Sequence, residues 1–206
     1  MYNPARYQAA DEVIEEIVTS FPFATLLTAG AGGELLISHV PLVLEKRAGD
    51  WFLIGHLARA NPHWKQLASG LSTAVFRGPQ AYITPLWYEQ CDVPTWNYVA
   101  AHLSGRVTLL ETEAGTVKAL QALAAKTEGQ DGWKFEIPED LAAPGVLMKS
   151  IIGFEIRVER REAKLKLSQN KSSTDFDGVL QGLSTRKDEQ SALVAAWMRR
   201  HSHPLR

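Results

Sequence analysis

The chain has 206 residues, 45% hydrophobic and 22% charged, with 22 Lys and Arg against 23 Asp and Glu. That balance suits a globular domain able to bury a core, and it lacks the cationic excess that nucleic acid or an anionic membrane attracts. A lone cysteine, Cys91, excludes an intrachain disulfide, and neither a signal-peptide core nor an apolar run of ~20 residues appears, so a soluble, cytoplasmic protein without a membrane partner is expected.

The first predicted element is a helix over Asp11–Ser20. Asp11, Glu12, Glu15 and Glu16 lie early in it, and Val13, Ile14, Ile17 and Val18 form its apolar face. Pro22 blocks its continuation, and residues 23–28 (FATLLT) read as a strand. Gly30, Gly32 and Gly33 lie between two strand-like runs with no helix following, so they predict a hairpin turn rather than a phosphate loop. Residues 35–44 form the next strand, which Pro41 must bulge or confine to an edge. A turn at residues 47–50 leads to a third strand over residues 51–57. This meander points to a barrel or sandwich.

A helix is expected from Pro62 to about residue 69, capped by Asn61. Its free amides beside Arg59 would make an anion site; the plainer reading is a surface arginine next to an ordinary capped helix. Strands follow at residues 72–77 and 81–84, joined by Gly78-Pro79, then a polar connection carrying Trp87, Tyr88 and Cys91. Val93-Pro94 enters a strand over Thr95–Leu110. Trp96, Tyr98, Ala100 and His102 share one face of it, Asn97, Val99, Ala101 and Leu103 the other. Such a mixture suits a flat, partly polar ligand, or else an aromatic-rich barrel strand whose Asn97 bonds to backbone.

A helix over residues 112–127 has Thr112 as its cap, residues 129–145 read as irregular around Pro138 and Pro144, and a long strand covers residues 151–167. On that strand Lys164, Lys166 and Ser168 share a face opposite Leu165 and Leu167. The face reads either as a seat for an anion or a subunit contact, or as an ordinary solvated strand face. The tail from Ser172 predicts two helical segments, over residues 175–183 and 189–200. As a helix-turn-helix it fails, because Asp188-Glu189-Gln190 stands where a recognition helix would approach phosphate. Helices packed on the barrel or on a second subunit are expected instead.

Familiar catalytic patterns are missing. There is no G-x-S-x-G, no H-E-x-x-H, no zinc spacing, no P-loop and no Rossmann glycine pattern, and His39, His56, His63 and His102 fall on different elements, so no metal site is expected.

Seven segments in order carry a resemblance: M-Y-N-P at residues 1–4, S-H-V-P at 38–41, G-H-L-A-R-A-N-P-H-W at 55–64, G-P-Q-A-Y-I at 78–83, W-Y at 87–88, V-P-T-W-N-Y-V at 93–99 and K-L-K-L-S-Q-N at 164–170. With them the chain resembles the PaiB family of FMN-binding transcriptional regulators. The resemblance implies a mainly β fold, the FMN-binding split barrel: a six-stranded antiparallel, Greek-key-like barrel with flanking and C-terminal helices. The barrel would span residues 1–171, with residues 172–206 a helical tail of the same domain. It also implies a homodimer formed through the barrel, with FMN at the subunit interface. By that resemblance the cofactor-binding residues are Ser38, His39 and Val40 on the second strand, Gly55, His56, Arg59 and Asn61 at the phosphate turn, and Trp96 and Asn97, which serve either the flavin or the dimer contact. Related oxidases tend to carry two basic residues in the phosphate turn where this chain has Arg59 and then Asn61, and Leu86 replaces the usual Ser before Trp87-Tyr88.

Three functions follow as alternatives. The chain is a flavin-binding transcriptional regulator (a repressor) acting with DNA or a regulatory protein; or an FMN-dependent oxidoreductase on a small substrate, with His56 or His102 as proton donor; or a flavin-free barrel serving as an interaction module.

Overall fold

The computed structural model describes residues 1–90, 92–129, 132–139 and 146–202. In chain order its elements are α1 Asp11–Ser20, β1 Phe23–Ala29, β2 Leu35–Pro41, β3 Val43–Arg47, β4 Asp50–Ala58, α2 Trp64–Leu67, β5 Leu71–Ile83, β6 Thr95–Leu110, α3 Glu113–Glu128, α4 Val146–Ser150, β7 Ile151–Lys166, α5 Ser173–Thr185 and α6 Glu189–His201. The chain divides into two compact units. A sheet unit comprises Val18–Phe76 and His102–Arg161, and a terminal unit comprises Met1–Ile17, Arg77–Ala101 and Glu162–Arg206.

All seven strands contribute to the sheet unit, in the order β2-β1-β5-β6-β7-β4-β3. The expected mainly β, antiparallel architecture is present, with seven strands in an open order rather than six. The difference arises at Pro41. Proline has no N–H to continue a ladder. The next residue, Leu42, turns its N–H to the Pro22 carbonyl at 2.9 Å and buries its side chain completely. What reads as one strand over residues 35–44 is therefore two. β2 pairs with β1 at one end of the order, and β3 pairs with β4 at the other. Conversely, the two short strands expected around Gly78-Pro79 are one continuous strand, β5. Leu26, Leu53, Phe76, Leu103, Phe154 and Ile156 join Leu42 as fully buried side chains of this unit.

α3 is anchored by hydroxyls at its start. Thr112 Oγ1 accepts from the Gly115 N–H at 3.1 Å, the expected cap. Thr116 Oγ1 donates to the Leu110 carbonyl and accepts from the Gly153 N–H, tying the helix to β7. The helix expected over residues 62–69 contracts to the four residues of α2. Asn61 Oδ1 accepts from the His63 N–H, and the N–H groups of Lys65 and Gln66 reach carbonyls three residues back, so only one turn is α-helical. The anion site built on a capped helix N-terminus is thereby removed.

In the terminal unit, α5 and α6 lie where the sequence places them. Ser172 and Asp188 cap them through the Asp175 and Ser191 N–H groups. α6 buries Val194, Ala195, Trp197 and Met198 and opens on Asp188 and Glu189. α4 is an addition to the predicted elements. Residues 132–138 carry neither helix nor strand, as expected, while Cys91, Pro144 and Gly145 lie outside the described residues. Among the described residues no helix is long and apolar enough to cross a membrane.

The turn between β3 and β4 places both Ala48 (φ 50°) and Gly49 (φ 90°) in left-handed backbone. Glycine adopts it freely, whereas a Cβ there costs roughly 1–2 kcal/mol. Ala48→Gly is therefore expected to raise stability by about 0.5–1 kcal/mol, net of the added freedom of the unfolded chain. A thermal melt checks this, and a lowered melting temperature would contradict it.

Candidate functional site

Within the sheet unit, three side chains from two segments converge on one hydroxyl. Ser38 lies on the buried face of β2, 7% exposed. Its Oγ accepts from Asn61 Nδ2 at 2.9 Å and sits 2.8 Å from His63 Nδ1. Asn61 uses its other amide atom on the His63 N–H at 3.1 Å. His63 is 2% exposed, and burial lowers its pKa, so the imidazole is neutral. The Ser38 hydroxyl accepts from Asn61 and has one proton to give; donating it to Nδ1 satisfies both groups. In that tautomer the ring proton is on Nε2, which is buried and has no hydrogen-bond partner among the described residues. An unpaired buried donor costs about 1–3 kcal/mol, which an acceptor atom of a ligand would recover.

Arg59 follows the end of β4. Its N–H donates to the Ser150 carbonyl at 2.8 Å, and its carbonyl accepts from Trp64 Nε1 at 3.0 Å. The guanidinium lies over the Trp64 ring, 4.8 Å from its centre, while Nε is buried without a partner. His56, opposite Gly153 on β4, has a buried and unpartnered Nδ1, and desolvation lowers its pKa as well. Residues 56–63 thus carry three buried nitrogens, on His56, Arg59 and His63, with no hydrogen-bond partner among the described residues. They suit a ligand rich in acceptor atoms, with an anion at Arg59.

The remaining expected residues are placed differently. Val40 faces the core, 6% exposed. His39 points to the opposite face of the sheet, with Nδ1 3.1 Å from Thr25 Oγ1 and its ring stacked 6.4 Å from Phe23. At Gly55 a Cβ would come within 2.6 Å of Leu42 Cδ2 and 3.0 Å of Phe154, so this glycine is required by core packing. Trp96 and Asn97 belong to the terminal unit. Asn97 is fully buried and donates to Ser168 Oγ at 2.9 Å and to Met198 Sδ at 3.5 Å; its partners are side chains, not backbone. Trp96 is half exposed, edge-on to Tyr82 with 6.1 Å between centroids. Lys164 and Ser168 are 8% and 3% exposed, so the lysine face of β7 is not a solvated surface.

Sequence reading named His63 only as a scattered histidine and gave Trp64 no role. The available signal was the N-P-H-W spacing, which sets an Asx acceptor two residues before a histidine and an indole five residues after Arg59. Among the described residues no group of three His, Cys, Asp or Glu side chains is arranged to hold a metal ion.

Comparison with known proteins adds a family. The model described as "Putative FMN-binding domain" matches residues 1–160. The protease synthase and sporulation protein PAI 2 of Bacillus subtilis (strain 168) is 32% identical over 203 residues, covering 96% of each chain. Among solved structures, the FAD and heme binding protein from Mycobacterium smegmatis superposes with a TM-score of 0.58 at 16% identity, covering 83% of this chain and 78% of its own. The flavocytochrome Anf3 from Azotobacter vinelandii gives 0.57 at 15% identity, covering 82% and 73%. These structures share the fold, which bears out the expected split-barrel class, and the family model with the PAI 2 match bears out the resemblance to PaiB.

The two lowered histidines predict a pH dependence. On unfolding, His56 and His63 regain a pKa near 6.5, so below that pH the unfolded chain binds protons that the native chain does not. Their contribution to stability is complete above about pH 6.5 and is lost as pH falls from there toward the lowered native values. The melting temperature is expected to fall as the pH drops below about 6.5, with a shallower slope in His63→Gln. An unchanged slope in that variant would contradict the assignment.

Proposed function

The chain belongs to the FMN-binding family, and we propose that it is a PaiB-type flavin-binding regulator that acts in the cytoplasm as a homodimer. The observation that carries this reading is the set of orphaned nitrogens on His56, Arg59 and His63. An FMN phosphate would accept from Arg59, and the acceptor edge of the ring system from His63 Nε2, held by Ser38 and Asn61. The flavin, when bound, supplies hydride and one-electron chemistry; the protein's part is to orient it and to keep water from it.

The homodimer is supported by an exposed apolar face. Residues opposite one another in the strand register share a face, which places Phe23, Leu35, Ile37 and Leu71 on the outer side of β1, β2 and β5. They are 67%, 59%, 54% and 52% exposed. Such a patch at a sheet edge suits a second copy of the same surface.

Regulation is supported by the Bacillus relative, whose name ties it to protease synthesis and sporulation. The acidic start of α6 and its buried apolar face argue against α6 as a DNA-reading helix. The regulatory output therefore runs through a partner protein or through the redox state of the flavin. A second reading, an FMN-dependent oxidoreductase, is favoured by the neutral His63, whose Nε2–H could donate a hydrogen bond to negative charge developing on a small substrate or on the flavin. Oxidation of reduced nicotinamide with a turnover that saturates in FMN would select it.

Two measurements test the proposal. Fluorescence titration should show one FMN per chain, with Arg59→Ala weakening FMN by about tenfold or more and riboflavin little, as loss of a charge-assisted bond to phosphate requires. Equal loss for both ligands would remove the phosphate from Arg59. Sedimentation should show a dimer that Ile37→Glu converts to a folded monomer; an unaffected dimer would place the interface elsewhere.

A further inference from the structure

The lysine face of β7 lines a cavity of about 170 Å³ in the terminal unit. Lys166, Lys171 and the Asp92 carboxylate supply the charge at its wall, and Thr95, Asn97, Ser168 and Asn170 supply polar groups. Lys171 is paired with Asp92 and lies over the Tyr88 ring, 4.2 Å from its centre. Although burial opposes it, the bond to Asp92 keeps the Lys171 ammonium above its ordinary pKa. Among the described residues Lys166 has no carboxylate partner. Its Nζ donates to Thr95 Oγ1 and to the Trp96 carbonyl at 3.0 Å, both neutral. Two residues earlier on the same strand face, Lys164 is buried, bonded to the Tyr2 carbonyl at 3.1 Å and surrounded by the rings of Tyr2, Tyr7 and Tyr98 at 5.5, 5.6 and 5.5 Å.

Lys171 is thus paired with Asp92, while Lys164 and Lys171 act on Lys166 as like charges. Burial first, and then Lys164 and Lys171, pull the Lys166 pKa down, the signature of a cation that lacks its counter-charge. Ser168 is held in left-handed backbone at φ 65°, with Oγ bonded to the fully buried Asn97. Such backbone in a non-glycine residue costs about 1–3 kcal/mol and persists where the surroundings impose it. The cavity is smaller than the ~300 Å³ at which pockets for drug-sized ligands begin, so it fits a small ion or the anionic end of a larger molecule.

We propose that this cavity is a binding site for a small oxoanion of the phosphate type, received by Lys166 and Lys171 with Asn170 and Thr95 at its edges, and separate from the flavin site of the sheet unit. The anion replaces the missing counter-charge of Lys166 and accepts the bonds that the neutral groups can share. Its source is either free phosphate or the phosphoryl end of a small metabolite.

The test uses the full chain in phosphate-free buffer, titrated calorimetrically with inorganic phosphate and, separately, with glycerol 3-phosphate. Saturable binding of either at one per chain, at least about tenfold weaker in Lys166→Met with FMN affinity retained, is expected. Tighter glycerol 3-phosphate identifies a phosphorylated metabolite as the source, and tighter inorganic phosphate the free ion. Amine labelling of the unmodified protein, read by mass spectrometry, gives a readout free of mutation: phosphate should protect Lys166 and chloride should not. Binding unchanged in Lys166→Met, no saturable heat with either probe, or labelling of Lys166 indifferent to phosphate would overturn the proposal.

Discussion

The sheet unit depends on one interruption of the backbone. Pro41 cannot donate, so the β1–β2 ladder ends there, and Leu42 is bonded to the Pro22 carbonyl and driven into the core. From that point the chain leaves one end of the strand order and resumes at the other as β3. The Leu42 side chain then fills the space beside β4 that a Cβ on Gly55 would need. Three consequences follow from a single residue without an N–H: an open seven-stranded order, an obligatory glycine on β4, and a β2 end that holds Ser38 on the buried face against the segment following β4.

That last consequence sets the chemistry. Ser38, Asn61 and His63 satisfy one another so completely that a single ring proton is left over, on His63 Nε2. Arg59 is held by backbone bonds and by the Trp64 ring in a way that fixes its guanidinium while leaving Nε unused. Preorganised donors of this kind lose little freedom on meeting a ligand, which is where affinity is commonly lost. In the terminal unit the imbalance is one of charge: Lys166, half-buried, stands among neutral partners and like charges. Both features are departures from the rule that buried polar groups are paired, and such departures mark binding sites more reliably than composition does.

Much of the architecture was legible from local signals. Caps at Thr112, Ser172 and Asp188, the Gly49 turn and the alternation of β1 all act within a few residues, and each element formed where those signals place it. Sequence and structure differ where a local signal has more than one outcome. Pro41 permits an edge, a bulge or a complete break, and only tertiary packing of Leu42 selects the break. Gly78-Pro79 reads as a turn yet stays extended inside β5. Asn61 has the chemistry of a helix cap but serves an Asx turn and Ser38 instead. The site was legible only in part. Arg59 and Asn61 stand out by residue type, and Ser38 through the family resemblance, but the contact between Ser38 and His63 spans 25 positions and no spacing encodes it. His39, by strand alternation alone, had to face away from Ser38. Lys164 and Lys166 looked like a solvated stripe because the tyrosines that bury Lys164 come from distant segments.

The most direct measurement is a crystal structure of the protein grown with saturating FMN. The account predicts the flavin phosphate within hydrogen-bond distance of Arg59 Nε and an acceptor atom of the ring system on His63 Nε2, with the Ser38–Asn61–His63 bonds intact. A fully occupied flavin bound elsewhere, leaving those two nitrogens unpaired, would contradict it.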